Sequence, residues 1–290
     1  MSRGLAGLRA GLARPAVRRF TAHRLAVVAA VLLAIVLAIV FFGPLLTSLD
    51  PHHVDPSQYR QPPSSDHPLG TDSAGRDVLA RLIYGGRTSL TIGISASLAA
   101  AVLGFGLGAL AGMTGGVVDS VLSRIVDVIQ SFPALIIIIL LAALMGGSMT
   151  TLVVSMAALE WPIAYRVVRT TCLSLREQDT IRAARGFGAR LPYLLRWHVL
   201  PEVVGPLVVV ITVVAAVCVL LEAALSFLGL GLPADVPSWG NMLSDARSLT
   251  VLKNMPWLWI PPGAAIAGTV LMINFVGDGI REATDPRQSR

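Results

Sequence analysis

The sequence predicts an all-α, polytopic membrane protein with six transmembrane helices. Three observations carry this expectation. Of 290 residues, 54% are hydrophobic and only 14% are charged, against roughly 45–50% and about 25% in soluble globular chains. The mean hydropathy is +0.71. The apolar residues are also gathered into long runs, with arginines placed between them. This composition excludes intrinsic disorder, which needs low hydrophobicity and dense charge. It excludes a disulfide-stapled domain as well, because Cys172 and Cys218 are too few for a framework in a chain of this length.

Leu25–Leu46 is the first run and contains no charge. As a helix it rises ~33 Å, enough to cross a hydrocarbon core of ~30 Å. It is too long for a signal-peptide core and no small-residue cleavage site follows, so it is expected to be retained. Five further runs follow, near Ser89–Gly112, Val121–Leu144, Thr150–Val168, Val203–Leu228 and Trp257–Ile280. Six crossings put both termini on one side.

Arginine sets that side. The net charge is +6, and Lys253 is the single lysine. Residues 1–24 hold Arg3, Arg9, Arg14, Arg18, Arg19 and Arg24 with no acid. Residues 169–202 hold Arg169, Arg176, Arg182, Arg185, Arg190 and Arg196, and the C-terminal end holds Arg281, Arg287 and Arg290. By the positive-inside rule these regions are cytoplasmic, and Thr47–Thr88 and Gly229–Pro256 face outward. The arginines form no aromatic-interleaved patch, so nucleic acid is not the expected partner. The organisation expected is a cytoplasmic N-terminus at 1–24, a first helix with an extracytoplasmic segment at 25–88, a five-helix core at 89–281 containing the loop 169–202, and a tail at 282–290.

Within the second run, Gly104, Gly108 and Gly112 lie four apart, on one helix face open to close approach by another helix. The same stretch contains G-x-G-x-x-A, but a dinucleotide fingerprint must follow a strand, and this one lies inside an apolar helix. In the third run Arg124 and Asp127 are placed to meet on one face. Pro133 bends that helix, either as a packing kink or as a moving hinge. Glu160 and Glu222 lie inside the fourth and fifth runs. An intramembrane carboxylate marks a proton relay, a polar helix partner or a lining of a translocation path. Glu160 is placed about 12 Å from the inner end of its run and Glu222 about 9 Å from the outer end, so a shared-proton pair is not expected.

The longest inner loop, Arg176 to Glu202, reads R-E-Q-D-T-I-R-A-A-R-G-F-G-A-R-L-P-Y-L-L-R-W-H-V-L-P-E. Asp179–Arg185 suits a short helix with an acidic start. Ala183 and Ala184 offer a small surface, Gly186 and Gly188 a turn, and Tyr193–Val199 a second short helix ending before Pro201. Such a unit suits docking into a groove of another protein, or lies as an amphipathic helix at the interface.

This loop resembles the EAA loop of ABC importer permeases, E-A-A, three residues, G, nine residues, I-x-L-P. Ala183, Ala184, Gly188, Leu200 and Pro201 fall at those spacings. Arg182 stands in place of the Glu and His198 in place of the Ile, as in the peptide-importing branch, whose x-A-A-R-x-x-G-A and R-H-x-L-P are matched by Arg182–Ala189 and Arg196–Pro201, with Trp197 a departure. The Arg182 departure removes any argument for a Glu-mediated contact. Other segments are similar to the C-type permease subunit of oligopeptide and dipeptide transporters: His67–Leu90; Trp161, Arg166 and Arg169; Glu222–Gly231; Pro237–Asn241; and Asn274–Pro286. Ala164 and Tyr165 stand exchanged relative to that pattern. The resemblance covers about residues 20–287.

The resemblance implies a type I ABC importer permease fold in a bacterial inner membrane. It implies half of a pore completed by a homologous B-type permease, with one or two ATPase subunits carrying ATP and Mg2+ below and an extracytoplasmic binding lipoprotein delivering peptide above. The coupling residues would be Asp179, Arg182, Ala183, Ala184, Arg185, Gly188, Ala189, His198, Leu200 and Pro201. Pro133, Glu160 and Glu222 would line the path or gate, and Asp72, Arg76, Asp77 and Trp239 would serve outside docking, with Trp239 equally suited to an interfacial aromatic belt. The residues themselves place ATP chemistry in another chain, because Lys253 has no P-loop around it. His23, His52, His53, His67 and His198 lack metal-ligand spacing, so no cofactor or metal is expected here. Nickel and other small-solute importers share the pattern. An ion-coupled secondary transporter would use Glu160 and Glu222, but the internal repeat usual in that class is not found.

Overall fold

A computed structural model describes residues 18–46 and 50–284. The expectations for the first arginines, for Thr47 to Leu49 and for the tail beyond Thr284 lie outside the described residues. The described chain is helical: α1 Arg24–Leu46, α2 Val78–Thr114, α3 Gly116–Gln130, α4 Ala134–Met145, α5 Met149–Arg176, α6 Asp179–Gly186, α7 Leu191–Leu194, α8 Leu200–Phe227, α9 Trp239–Leu243, α10 Leu249–Asn254 and α11 Ile260–Thr284. Short 3-10 turns join several of them. The single β feature among the described residues is an isolated antiparallel bridge between Thr71 and Asp77.

Five helical stretches are long and apolar enough to cross a bilayer, and the bent pair α3–α4 makes a sixth if taken as one span. The second begins at Val78, well before Ser89, because Asp77 caps it: its Oδ1 accepts from Ala80 N at 2.7 Å. At 37 residues it rises ~55 Å, more than the hydrocarbon core requires.

The expected third span is not one bent helix. α3 and α4 meet at 81°. Ser131 N closes α3 by donating to Asp127 O and Val128 O. Pro133 then disfavours helical geometry at Phe132 and brings no N–H of its own, so the chain breaks where a kink was expected. Pro133 becomes the residue that precedes α4, in extended conformation.

The second short helix of the 176–202 loop also departs from expectation. It does not end before Pro201. α7 passes through a π turn, Leu195–Val199, directly into α8. Proline inside a helix clashes with the carbonyl four residues back. The π turn, in which Leu200 N donates to Leu195 O, widens the coil just before Pro201.

Packing is organised around α2. Its glycine stripe lies on α5: a Cβ at Gly108 would stand 2.7 Å from Tyr165 O, and one at Gly112 would stand 2.8 Å from Arg169 O. α2 and α11 also flank α8, and α1 packs chiefly on α11. One buried cluster joins Ile92, Leu152, Met156, Trp161, Tyr165 and Val214 at the centre of the bundle.

Candidate functional site

Glu177 follows the end of α5 and holds two arginines. Arg182 Nη2 donates to its Oε2 at 2.7 Å and Arg176 Nε to its Oε1 at 3.1 Å. These bonds, Arg182 first, hold its carboxyl below the usual range. α6 then runs along the surface, with Asp179 in its first turn favouring the positive helix end. Ile181 is the α6 side chain that is fully buried, in a cluster with Met113, Cys172, Leu175, Leu194, Val199 and Val203. Arg185 Nη2 donates to Met113 O at 2.8 Å, near the end of α2. α6 is therefore pinned to both α2 and α5 while most of it stays exposed.

Gly188 follows with φ +82°, a left-handed conformation, and Ala189 N donates to Ala184 O at 3.0 Å. Ala183 is exposed and Ala184 half-buried against the cluster. Phe187, between the glycines, is 92% exposed. Further along, the His198 ring lies 5.8 Å from the Tyr193 ring, with its Nδ1 enclosed and without a partner among the described residues. Leu200 and Pro201 are exposed. Of the expected coupling residues, Asp179, Arg182, Ala183, Gly188, Leu200 and Pro201 are exposed, whereas Ala184 turns to the buried cluster and Arg185 to α2. The contacts of Glu177 and Arg185 and the exposure of Phe187 were not anticipated; an aromatic flanked by two glycines was the available signal for the last.

Among the described residues, no hydrogen bond joins the two intramembrane carboxylates. Glu222 is fully buried; Ser89 Oγ donates to its Oε2 at 2.7 Å and Ser226 Oγ to its Oε1 at 2.9 Å. It is a helix–helix partner between α2 and α8. Glu160 is 8% exposed in α5, near Cys218 of α8. Pro133 lies with Ser131 and Phe132 at an exposed break.

At the opposite end from α6, Asp72 and Arg76 form one ionic group and Asp77 another. Asp72 Oδ1 accepts from Ala74 N and Arg76 N, and its Oδ2 from Arg76 Nε at 2.8 Å, with Arg81 Nε at 3.4 Å. Asp77 Oδ2 pairs with His67 Nδ1 at 2.8 Å. Trp239 is neither a surface anchor nor an interfacial belt residue. It is 2% exposed, and its indole N–H donates to Leu82 O at 2.9 Å. Gly86 makes room for the ring: a Cβ there would stand 2.7 Å from Trp239 Cζ2.

A multi-pass bundle with an exposed, pinned helix–turn–helix on one face is the architecture of a transmembrane permease subunit of an ABC importer. The model of the binding-protein-dependent transport system inner membrane component family matches residues 104–290, and the chain belongs to that family. The model for the N-terminal TM domain of oligopeptide transport permease C matches residues 11–63. The dipeptide transport system permease protein DppC of Alkalihalophilus pseudofirmus is 38% identical over 94% of this chain and 90% of its own length. The oligopeptide transport system permease protein OppC of Bacillus subtilis is 34% identical over 94% of this chain and 89% of its own. A solved inward-facing structure of the MetNI methionine ABC transporter shares the fold, with a TM-score of 0.58 at 20% identity over 71% of this chain and 98% of that one.

Proposed function

We propose that this chain is the C-type permease subunit of a peptide importer, in which it and a homologous B-type permease each form half of the path. One or two partner ATPases, loaded with ATP and Mg2+, engage α6 and the turn at Gly188. An extracytoplasmic binding protein delivers peptide to the opposite face, where the 50–77 and 229–259 segments supply the platform. The termini and the 169–202 loop face the cytoplasm, in line with the arginine distribution. Glu160 and the break at Pro133 border the path. Asp72, Arg76, Asp77 and Trp239 act there indirectly, by holding the platform's shape.

The observation that carries this reading is α6. It is exposed along most of its length, yet Ile181 and Arg185 pin it to α5 and α2. A helix built only to cover the bundle would bury more than one residue. The test is copurification of the chain with its neighbouring ATPases and binding protein, followed by ATP hydrolysis with and without peptide-loaded binding protein. Stimulated hydrolysis is expected. Transport by the chain without any ATPase would overturn the reading.

A further inference from the structure

The contact between α3 and α5 is a ladder of three rungs. Arg169 Nη2 donates to Asp119 Oδ2 at 2.7 Å, and Arg169 Nε to Asp119 Oδ1. Ser123 Oγ and Tyr165 Oη are 3.1 Å apart, and Arg166 Nη2 lies 3.6 Å from Asp127 Oδ1. From Asp119 to Asp127, α3 advances ~12 Å, while its partners on α5 span only ~6 Å, so the helices cross obliquely. The first rung is the strongest. Its geometry is bidentate, which fixes direction as well as distance. Its side chains are 30% and 17% exposed, whereas those of the Arg166–Asp127 rung are 57% and 56% exposed. Exposed pairs contribute little.

On the other side of Arg169, the α5 backbone lies against Gly108 and Gly112 of α2. α2 in turn receives Arg185 of α6 at Met113 O. At the far end of α3, no backbone hydrogen bond among the described residues links α3 to α4 across Phe132: Ser131 N bonds back into α3, and Ile136 N bonds to Pro133 O. The junction is held by side chains alone: Val126 of α3 and Ile138 of α4 are buried in one cluster with Trp161 and Tyr165 of α5, so a shift of α3 is felt at the break.

We propose that the Asp119–Arg169 pair is the positioning contact that joins α3 to the α2–α5 body, so that a displacement of α6 reaches the α3–α4 break at Ser131–Pro133. This rests on the reading of α6 as the ATPase contact. Arg169 touches no substrate; it sets where α3 stands.

The test uses the assembled complex in proteoliposomes, with its binding protein and tri-alanine as the transported probe. The quantity read is tri-alanine accumulated per ATP hydrolysed, which a loss of folded complex alone leaves constant. Asp119→Arg and Arg169→Asp should each lower the ratio about fivefold or more, the lower end of ordinary couplings between sites. The double exchange restores the pair with its charges reversed and should return the ratio to within about twofold of the parent. Asp119→Asn, which keeps the volume, serves where a reversal prevents assembly, and should lower the ratio in the same direction. A parent-like ratio in the single variants overturns the proposal. So does a double exchange that assembles and melts like the parent yet stays as low as the singles. A parent complex whose ATP hydrolysis ignores loaded binding protein would instead overturn the importer reading, and the proposal with it.

Discussion

Ser89 Oγ of α2 donates a 2.7 Å hydrogen bond to Glu222 Oε2 of α8, between residues 133 positions apart. The same Ser89 oxygen accepts from Trp239 N at 3.2 Å, and the other carboxylate oxygen accepts from Ser226, which also meets Leu232 N at 3.5 Å. One buried carboxylate thus holds two helices and both limbs of the segment that returns between them.

Replacing Glu222 with Ala should leave the Ser89 and Ser226 hydroxyls without their acceptor and lower stability by about 1–3 kcal/mol. Glu222→Gln keeps a carbonyl acceptor and should lose less. Thermal melting of the detergent-solubilised chain checks both, and equal loss in the two variants would contradict the bonding described.

The glycine stripe gives an opposed pair of expectations. Gly108→Leu drives a side chain into Tyr165 O and Val168 and should cost about 1–3 kcal/mol by overpacking. Gly106, on the same helix, has nothing within 4 Å of a built Cβ. Gly106→Ala should be neutral or stabilise by up to about 1 kcal/mol, through helix propensity. Parallel melting curves decide it.

In the 176–202 loop, Phe187→Ala should weaken ATPase copurification while leaving the melting temperature near that of the parent, because the ring is 92% exposed. Gly188→Val should weaken copurification too, by forcing a β-branched residue into φ +82° at a cost of about 1–2 kcal/mol. A bulky residue at Ala184 should act in the same direction. Unchanged ATPase binding and stimulated hydrolysis in these variants would exclude the loop from coupling.

Acid should loosen the start of α6. The folded carboxyl of Glu177 is lowered by Arg182 and Arg176. Its contribution is therefore complete above the ordinary glutamate pKa of about 4.3 and is lost as pH falls through the lowered folded value. Amide exchange at residues 178–182, corrected for its intrinsic pH dependence, should show protection falling only in that acid window. A decline beginning near neutrality would point to another group.

The helical class, the runs and the helix–turn–helix of the 176–202 loop could be read in the residues because each depends on neighbours along the chain. Apolar length reports a span, arginine clustering reports a side, and the Ala183–Ala184–Gly188 spacing reports a turn. Helix ends were less legible, since Val78 begins α2 through a cap whose strength depends on the surrounding 50–77 segment. Pro133 announced a disturbance, but local chemistry could not state its angle. That angle depends on where α3 finds Asp119 and Asp127 their arginines on α5.

The sequence by itself determined a membrane bundle, the arginine-rich loop between its fourth and fifth runs and the presence of two costly carboxylates. Only the tertiary structure decided that Glu222 joins helices, that Trp239 faces inward, that Arg185 reaches α2, and that the third span is two helices. Each of those depends on partners far away in sequence. A buried polar group is stable only where the fold supplies its partner, and a helix breaks sharply only where packing supports the break. Neither the partner nor the support is written near the residue that needs it.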